Sequence, residues 1–365
     1  MRARADRFRY RAREEKLMVG DHSLIGLRGS WFAPLQTVAH ASLASLRKAV
    51  QAVAATYDVA TLSLSPDPAT EFNVGYSRFE PVGISVHPDG RVLLEIGVRT
   101  EVSEEDLRQL FAPLLGRSAA AFVGAEYGEP RLLQGVCLIS VEFSPRGATV
   151  QEAISVGLEV IEFVEHLRDG DLTAESTLDL LTAGRGDLLV GHAESSWLEA
   201  KRQGYDFSTD HGKIELAQDV ARFANGANPG ILVVGLQTRK RRGEEIITKT
   251  CPAVDAFNTA RYQQIIDARL FPPVQGLVVR NVPARIGGGR SGHMLAIYLP
   301  TQPDELKPFL VHGAVVKGKV EGAFISIVQR RGEHSIPVTA QGIHATLAAG
   351  KALLRRVETG DSKDG

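Results

Sequence analysis

Glu194, Glu199 and Lys201 fall within eight residues of one another in the stretch GHAESSWLEAKR, Gly191–Arg202. Two carboxylates and an ammonium at that spacing suit work on a phosphodiester. Carboxylates can hold Mg²⁺ or Mn²⁺, and a cation steadies the attacked phosphate or orients the water. If Ser196–Arg202 is extended, side chains alternate across a sheet. Trp197, Glu199 and Lys201 then share one face, and Leu198 and Ala200 the other. Glu199 would supply one carboxylate, Lys201 the cation, and Glu194 a second carboxylate. The plainer alternative for Glu-x-Lys on a strand is an exposed ion pair. A second chemistry is phosphate contact without cleavage. Arg239, Lys240, Arg241 and Arg242 stand in succession, Arg330 and Arg331 follow a later apolar strand, and Lys213 lies on a helix that precedes both. A charge run of this kind also describes a solvated turn.

The surrounding pattern says what must carry these groups. From Thr209 the period becomes helical, with Ile214, Ala217, Val220, Ala221 and Ala224 on a stripe. Ser208, Thr209 and Asp210 offer N-cap oxygens, and Gly226 offers a C-terminal stop. Asn228–Pro229–Gly230 turns the chain into Ile231–Leu236, an apolar run suited to a strand covered on both faces.

This order of residues resembles the Schlafen-type AlbA-like domain, a nucleic-acid-binding module of bacterial, archaeal and animal proteins. The resemblance rests on Glu194, then Glu199–Ala200–Lys201, then Arg222–Phe223–Ala224–Asn225, then the Gly-led strand Gly230–Gly235. The family's closing strand and turn look like Phe324–Ser335, so that the match spans about 186–345. It implies a sheet flanked by helices and a nucleic-acid partner, DNA or RNA. Nucleases of the family use two such glutamates and a third acidic residue beside the later strand. By that resemblance the third acid belongs just after Val234–Gly235–Leu236, where this chain has Gln237. A neutral amide oxygen is a weaker ligand for a hard cation. Asp219, Glu244 and Glu245 are the acids that might replace it, and the sequence places none of them at the site.

Bulk composition is that of an ordinary globular protein of two-domain length, with 42 Lys and Arg against 43 Asp and Glu in 365 residues. The charge is unevenly divided. Residues 1–185 carry 19 basic and 25 acidic side chains, residues 186–345 carry 19 and 15. A mildly basic second half permits a polyanion. Cys137 and Cys251 read as thiols in a reducing compartment. No apolar run approaches the ~18 residues of a membrane span, and no secretory leader is evident. A cytoplasmic protein is expected.

The chain order predicts an α+β protein throughout, a mixed sheet flanked by helices in each half. Residues 1–20 read as a basic arm, solvated and disordered or able to neutralise phosphates. Residues 21–185 read as an unassigned α+β domain, 186–345 as the AlbA-like domain, and 346–365 as a terminal helix and tail. Within the first half the pattern predicts a helix over Ala39–Tyr57 and a hairpin of Val82–Val86 with Arg91–Val98. It also predicts a Ser103-capped helix to Leu115, a strand over Leu132–Phe143 and a helix over Val150–Leu167. In the second half it predicts a helix over Val254–Leu270, a hairpin around the Gly-rich tip Ile286–Gly292, and a last hairpin near Ala314–Gln329.

Three functions remain open on these residues. The first is a nucleic-acid-binding module with a regulatory or docking first domain, without catalysis. The second is a divalent-metal endonuclease acting on RNA or DNA, with Glu194 and Glu199 as Mg²⁺ or Mn²⁺ ligands and Lys201 facing the phosphate. The third is a scaffold or nucleotide binder, for which no phosphate loop is present. Without catalysis no cofactor is implied, and a homo-oligomer is compatible with each.

Overall fold

The computed structural model describes residues 6–65, 82–128, 136–286, 290–316, 319–326, 328–331 and 334–337. The chain is α+β and divides into two compact units, Met1–Leu172 and Thr173–Gly365. The division falls ahead of residue 185 because the helix Ala174–Thr182 packs on strands of the second unit. Tyr298 donates to Glu175 on that helix at 2.8 Å. No helix among the described residues is long and apolar enough to cross a membrane.

In the first unit seven of the described strands form one sheet, and Phe8–Arg11, Lys16–Val19 and His22–Ser23 form a smaller one. The order of the larger sheet is Ile25–Leu27, Ser30–Pro34, Ala60–Ser65, Val82–Val86, Val92–Arg99, Val136–Phe143 and Ala120–Tyr127. Only Ser30–Pro34 and Ala60–Ser65 run parallel, and the helix Leu43–Tyr57 supplies the crossover that parallel strands require. That helix starts later than Ala39 because Ser42 caps it, accepting from Ser45 N–H. Cys137, Ile139, Val141 and Phe143 alternate into the core, as the period of a strand demands. The helix Val150–His166 opens with a capping box between Thr149 and Glu152 and buries Ile154, Val160 and Phe163. The expected disordered arm is corrected over Phe8–Val19, where Phe8–Arg11 pairs antiparallel with Lys16–Val19. Phe8, Leu17, Met18 and Val19 are buried there, and for Phe8 the alternation with arginine conceals this in the sequence.

The second unit is built on a four-stranded sheet among the described residues, ordered Leu198–Lys201, Gly230–Val234, Arg290–Leu299 and Val278–Ile286. The first pair is parallel and the others antiparallel. The helix Asp210–Ala224, capped by Thr209, crosses from the first strand to the second. Leu232, Val234, Leu295 and Ile297 meet Val220, Ala224, Ile266 and Phe309 in one core. Full burial of each such side chain contributes roughly 1.5–3 kcal/mol. The helix predicted over Val254–Leu270 is shorter, Thr259–Arg269, because Asn258 caps it and Phe257 exchanges two hydrogen bonds with Asn281 at 2.8 Å each. The hairpin expected near Ala314–Gln329 pairs Leu310–Val316 with Lys319–Ser326, and a further one, Val328–Arg331 with His334–Pro337, follows it. The expected terminal helix and tail at 346–365, the first residues of the strand expected over Leu132–Phe143 and the centre of the Gly-rich tip lie outside the described residues.

The motif at the end of the crossover helix has a physical account. Asn225 clamps the buried Phe309 backbone, accepting from its N–H at 2.6 Å and donating to its carbonyl at 3.0 Å. Phe223 packs flat against Gly230, where any Cβ would fall 2.2 Å from the ring. Glycine leads the strand because nothing larger fits. Gly230→Ala is therefore expected to destabilise the protein by about 1–3 kcal/mol. Asn225→Leu, which leaves both Phe309 backbone groups unpaired, should cost at least as much. Urea denaturation of the two variants checks both values.

Candidate nucleic-acid interface and its buried ion network

Lys201 ends the first strand of the second unit, and its ammonium sits among three carboxylates. It lies 3.1 Å from Asp219, 3.3 Å from Glu199 and 3.6 Å from Glu215. Arg222 closes the group from one turn along the helix, contacting Asp219 Oδ1 and standing 3.8 Å from Glu199. The Arg222–Asp219 contact is a charge contact without hydrogen-bond alignment, and Asp219 Oδ1 is otherwise unbonded. Tyr205, from the connection into the helix, donates to Asp219 Oδ2 at 2.6 Å. Asp219 is wholly buried and Glu199 is 8% exposed.

Burial opposes the charge on Lys201, but Asp219, Glu199 and Glu215 outweigh it and hold the lysine pKa above its ordinary value. Burial, followed by the Asp219 charge, pushes the Tyr205 phenol well above its ordinary value.

Glu194 is placed differently. The carbonyls of Trp197 and Lys201 accept from Ile231 and Gly235 N–H, so the strand's intervening Ala200 N–H points to the open edge. Glu194 Oε1 accepts that N–H at 3.0 Å. Its carboxylate thus caps a sheet edge, while Glu199 belongs to the ion network. Among the described residues no three His, Cys, Asp or Glu side chains are grouped to hold a metal ion. Lys201 and Arg222 already stand against Glu199 and Asp219, so a divalent cation there would compete with the protein's own cations. Gln237, at the position of the family's third acid, has its side-chain oxygen 3.9 Å from Cys251 Sγ.

The basic run is not a turn but most of a strand. Leu236–Arg241 pairs antiparallel with Glu244–Thr250, and Arg242–Gly243 alone makes the tip. Both tip residues have positive φ, 52° and 100°, as in a type I′ hairpin turn. Arg239, Lys240, Arg241 and Arg242 are all exposed, and none is ion-paired among the described residues. The hairpin is held on its other side, where Gly191 and Glu194 N–H donate to Ile247 and Glu245 carbonyls at 2.8 Å each. Lys213 lies instead on the first turn of the crossover helix, 3.2 Å from Asp210, which Arg269 also meets at 2.9 Å. The Lys213 hydrogen bond and the two charges hold the Asp210 carboxyl below its usual value. Arg330 and Arg331 end the strand Val328–Arg331, which pairs with His334–Pro337 and lies near the crossover helix. The sequence-selected cations therefore stand on three elements, and only the Arg239–Arg242 group is shown uncompensated.

The residues that sequence reasoning left unplaced are Tyr205, Glu215, Asp219 and Arg222. A signal was available: Glu215, Asp219 and Arg222 follow at helical spacing beside the apolar stripe, with opposite charges three apart at Asp219 and Arg222.

No protein-family model matches the chain, and no curated protein matches it. Among solved structures, the DIP2311 protein of Corynebacterium diphtheriae is similar over 39% of this chain and 22% of its own, at 20% identity and TM-score 0.22. The N-terminal domain of a RecG-related protein from Nitrosomonas europaea is similar over 45% of this chain and 92% of its own, at 20% identity and TM-score 0.24. This chain thus spans about a fifth of the Corynebacterium protein and nearly all of the Nitrosomonas domain.

Asp219→Ala takes from Lys201, Arg222 and Tyr205 the wholly buried carboxylate that all three meet, and should cost about 3–5 kcal/mol in urea denaturation. The folded state holds Lys201 charged and Tyr205 neutral. Their contribution is full below the unfolded values near 10 and is lost as pH rises through the raised folded values. Stability measured from pH 8 to 12 should fall with pH, and fall less in a Lys201→Met/Tyr205→Phe double variant.

Proposed function

We propose that the second unit binds nucleic acid through phosphate contacts, as a Schlafen AlbA-like module that regulates or docks without catalysis. One observation carries this reading. Four successive basic residues project from a hairpin whose Glu244–Thr250 strand is bonded to residues 191–194, and none of them is ion-paired among the described residues although Glu245 and Glu244 stand across from Lys240 and Arg241. Cations held in place and left uncompensated suit a phosphate backbone, which they meet at little ordering cost. Lys201, by contrast, spends its charge on Asp219, Glu199 and Glu215, which argues for a positioning role rather than contact with a phosphate. Glu194 and Glu199 act the same way in this reading, on a strand edge and on the ion network. Arg330 and Arg331 add to the contact surface, and Lys213 contributes less because Asp210 is its partner.

Labelled duplex DNA, single-stranded DNA and hairpin RNA, titrated at two salt concentrations with and without Mn²⁺, test the reading. The four hairpin cations alone contribute about −3.6 to the log–log salt slope on duplex DNA, at about −0.9 per contact. Arg239→Ala/Arg241→Ala should weaken binding evenly across sequences and flatten that slope by about two contacts' worth. Strands should remain intact on a denaturing gel. Mn²⁺-dependent cleavage that disappears in Glu199→Gln would instead assign the carboxylates to a nuclease.

A further inference from the structure

The first unit carries a cationic surface of its own. Phe8–Arg11 and Lys16–Val19 form a ribbon whose register places Arg11 opposite Lys16 and Arg9 opposite Met18. Cross-strand partners share a face, so Arg9, Arg11 and Lys16 lie together, with Arg7 and Arg13 at the ends of the ribbon's first strand. All five are exposed. Glu14, in the turn, is 3.5 Å from Arg11 and 3.4 Å from Lys16, and exposed pairs of that kind are weak. Arg7, Arg9 and Arg13 have no carboxylate partner among the described residues.

The ribbon is anchored, not loose. Phe8 N–H donates to Ser45 Oγ at 2.9 Å, and Tyr10 meets Trp31 edge to face at 5.8 Å. Phe8, Leu17 and Val19 are buried beneath it. Charge is also concentrated here against the trend of the unit. Residues 7–16 hold five basic and two acidic side chains, whereas residues 17–172 hold eleven and twenty. An approaching polyanion is repelled by the rest of the unit and attracted to this face. Four of the five cations are arginines, whose planar fork matches phosphate oxygens in pairs. A membrane surface would call for an exposed apolar residue beside the charges, and no large apolar side chain of the ribbon is exposed.

We propose that the face formed by Arg9, Arg11 and Lys16 is a second, independent phosphate-backbone contact surface for a polynucleotide, carried by the first unit. It does not rest on the basic hairpin of the second unit, and the two readings are tested apart.

The experiment is fluorescence anisotropy of labelled duplex DNA with the full chain at 50 and 200 mM NaCl. The proteins are wild type, Arg9→Ala/Arg11→Ala/Lys16→Ala, Arg9→Lys/Arg11→Lys and Arg239→Ala/Arg241→Ala, each checked for an unchanged thermal melt. Loss of three contacts at about 0.9 per phosphate should shrink the change in affinity between the two salt concentrations by about 40-fold in the triple variant. The lysine variant keeps the charges and should retain the wild-type salt slope. A triple variant with wild-type affinity and salt slope overturns the proposal. So does loss of binding to phosphatidylserine vesicles with DNA binding intact, which would assign the face to a membrane. If Arg239→Ala/Arg241→Ala binds as wild type while the triple variant weakens, the ribbon surface stands and the hairpin reading falls. Absence of any binding by the wild type to duplex DNA, single-stranded DNA or hairpin RNA overturns both.

Discussion

A carboxylate with no exposed surface in the middle of a helix needs cations and hydrogen-bond donors held against it, because water cannot reach it there. Asp219 is such a group, and the cations that meet it come from different parts of the chain. Lys201 arrives from the end of the preceding strand, Arg222 from the next turn of the same helix, and the Tyr205 hydroxyl from the connection between them. The charge on Asp219 therefore ties strand, connection and crossover helix into one unit. Glu199 follows from it, since Lys201 and Arg222 together carry more charge than Asp219 alone neutralises. Glu215 adds a further, more exposed carboxylate at the rim of the group.

The arrangement sorts the charges of the second unit into two kinds. Those at the end of the first strand are compensated and largely hidden from solvent, and their energy goes into position. Those on the hairpin that follows the neighbouring strand are exposed and uncompensated, and their field reaches outward. The two groups are covalently close. Gly235, at φ 111°, turns the buried strand Gly230–Val234 directly into the basic strand Leu236–Arg241. A rigid sheet thus presents a rigid hairpin, which lowers the ordering cost of any contact its cations make. A near-zero net charge conceals this, because summation cancels buried pairs and exposed cations alike.

The Arg242 tip shows how such exposure is maintained at some expense. A left-handed backbone at a residue other than glycine costs roughly 1–2 kcal/mol, and asparagine or glycine is the usual occupant. Arginine here accepts that cost and places a further cation at the outermost point of the hairpin.

Much of the architecture was legible from local pattern. The crossover helix, its Thr209 cap, the buried strand after Gly230 and the antiparallel strands of the first unit follow from periodicity, capping oxygens and turn residues, whose causes lie within a few positions. The α+β class followed from them. The fate of each charged side chain was not legible, because it depends on partners that only folding brings near. Asp219 could be named but not placed, as its partner Lys201 lies on a different element. Asn225 reads as an ordinary helix end until Phe309, 84 residues away, returns to its amide. Arg9 and Arg11 read as a solvated arm, because alternating arginine and aromatic residues are apolar on one face only once a second strand pairs with them. Residue types set which groups were available. Pairing and burial, which act across long separations in the chain, decided which charges became structural and which were left facing solvent.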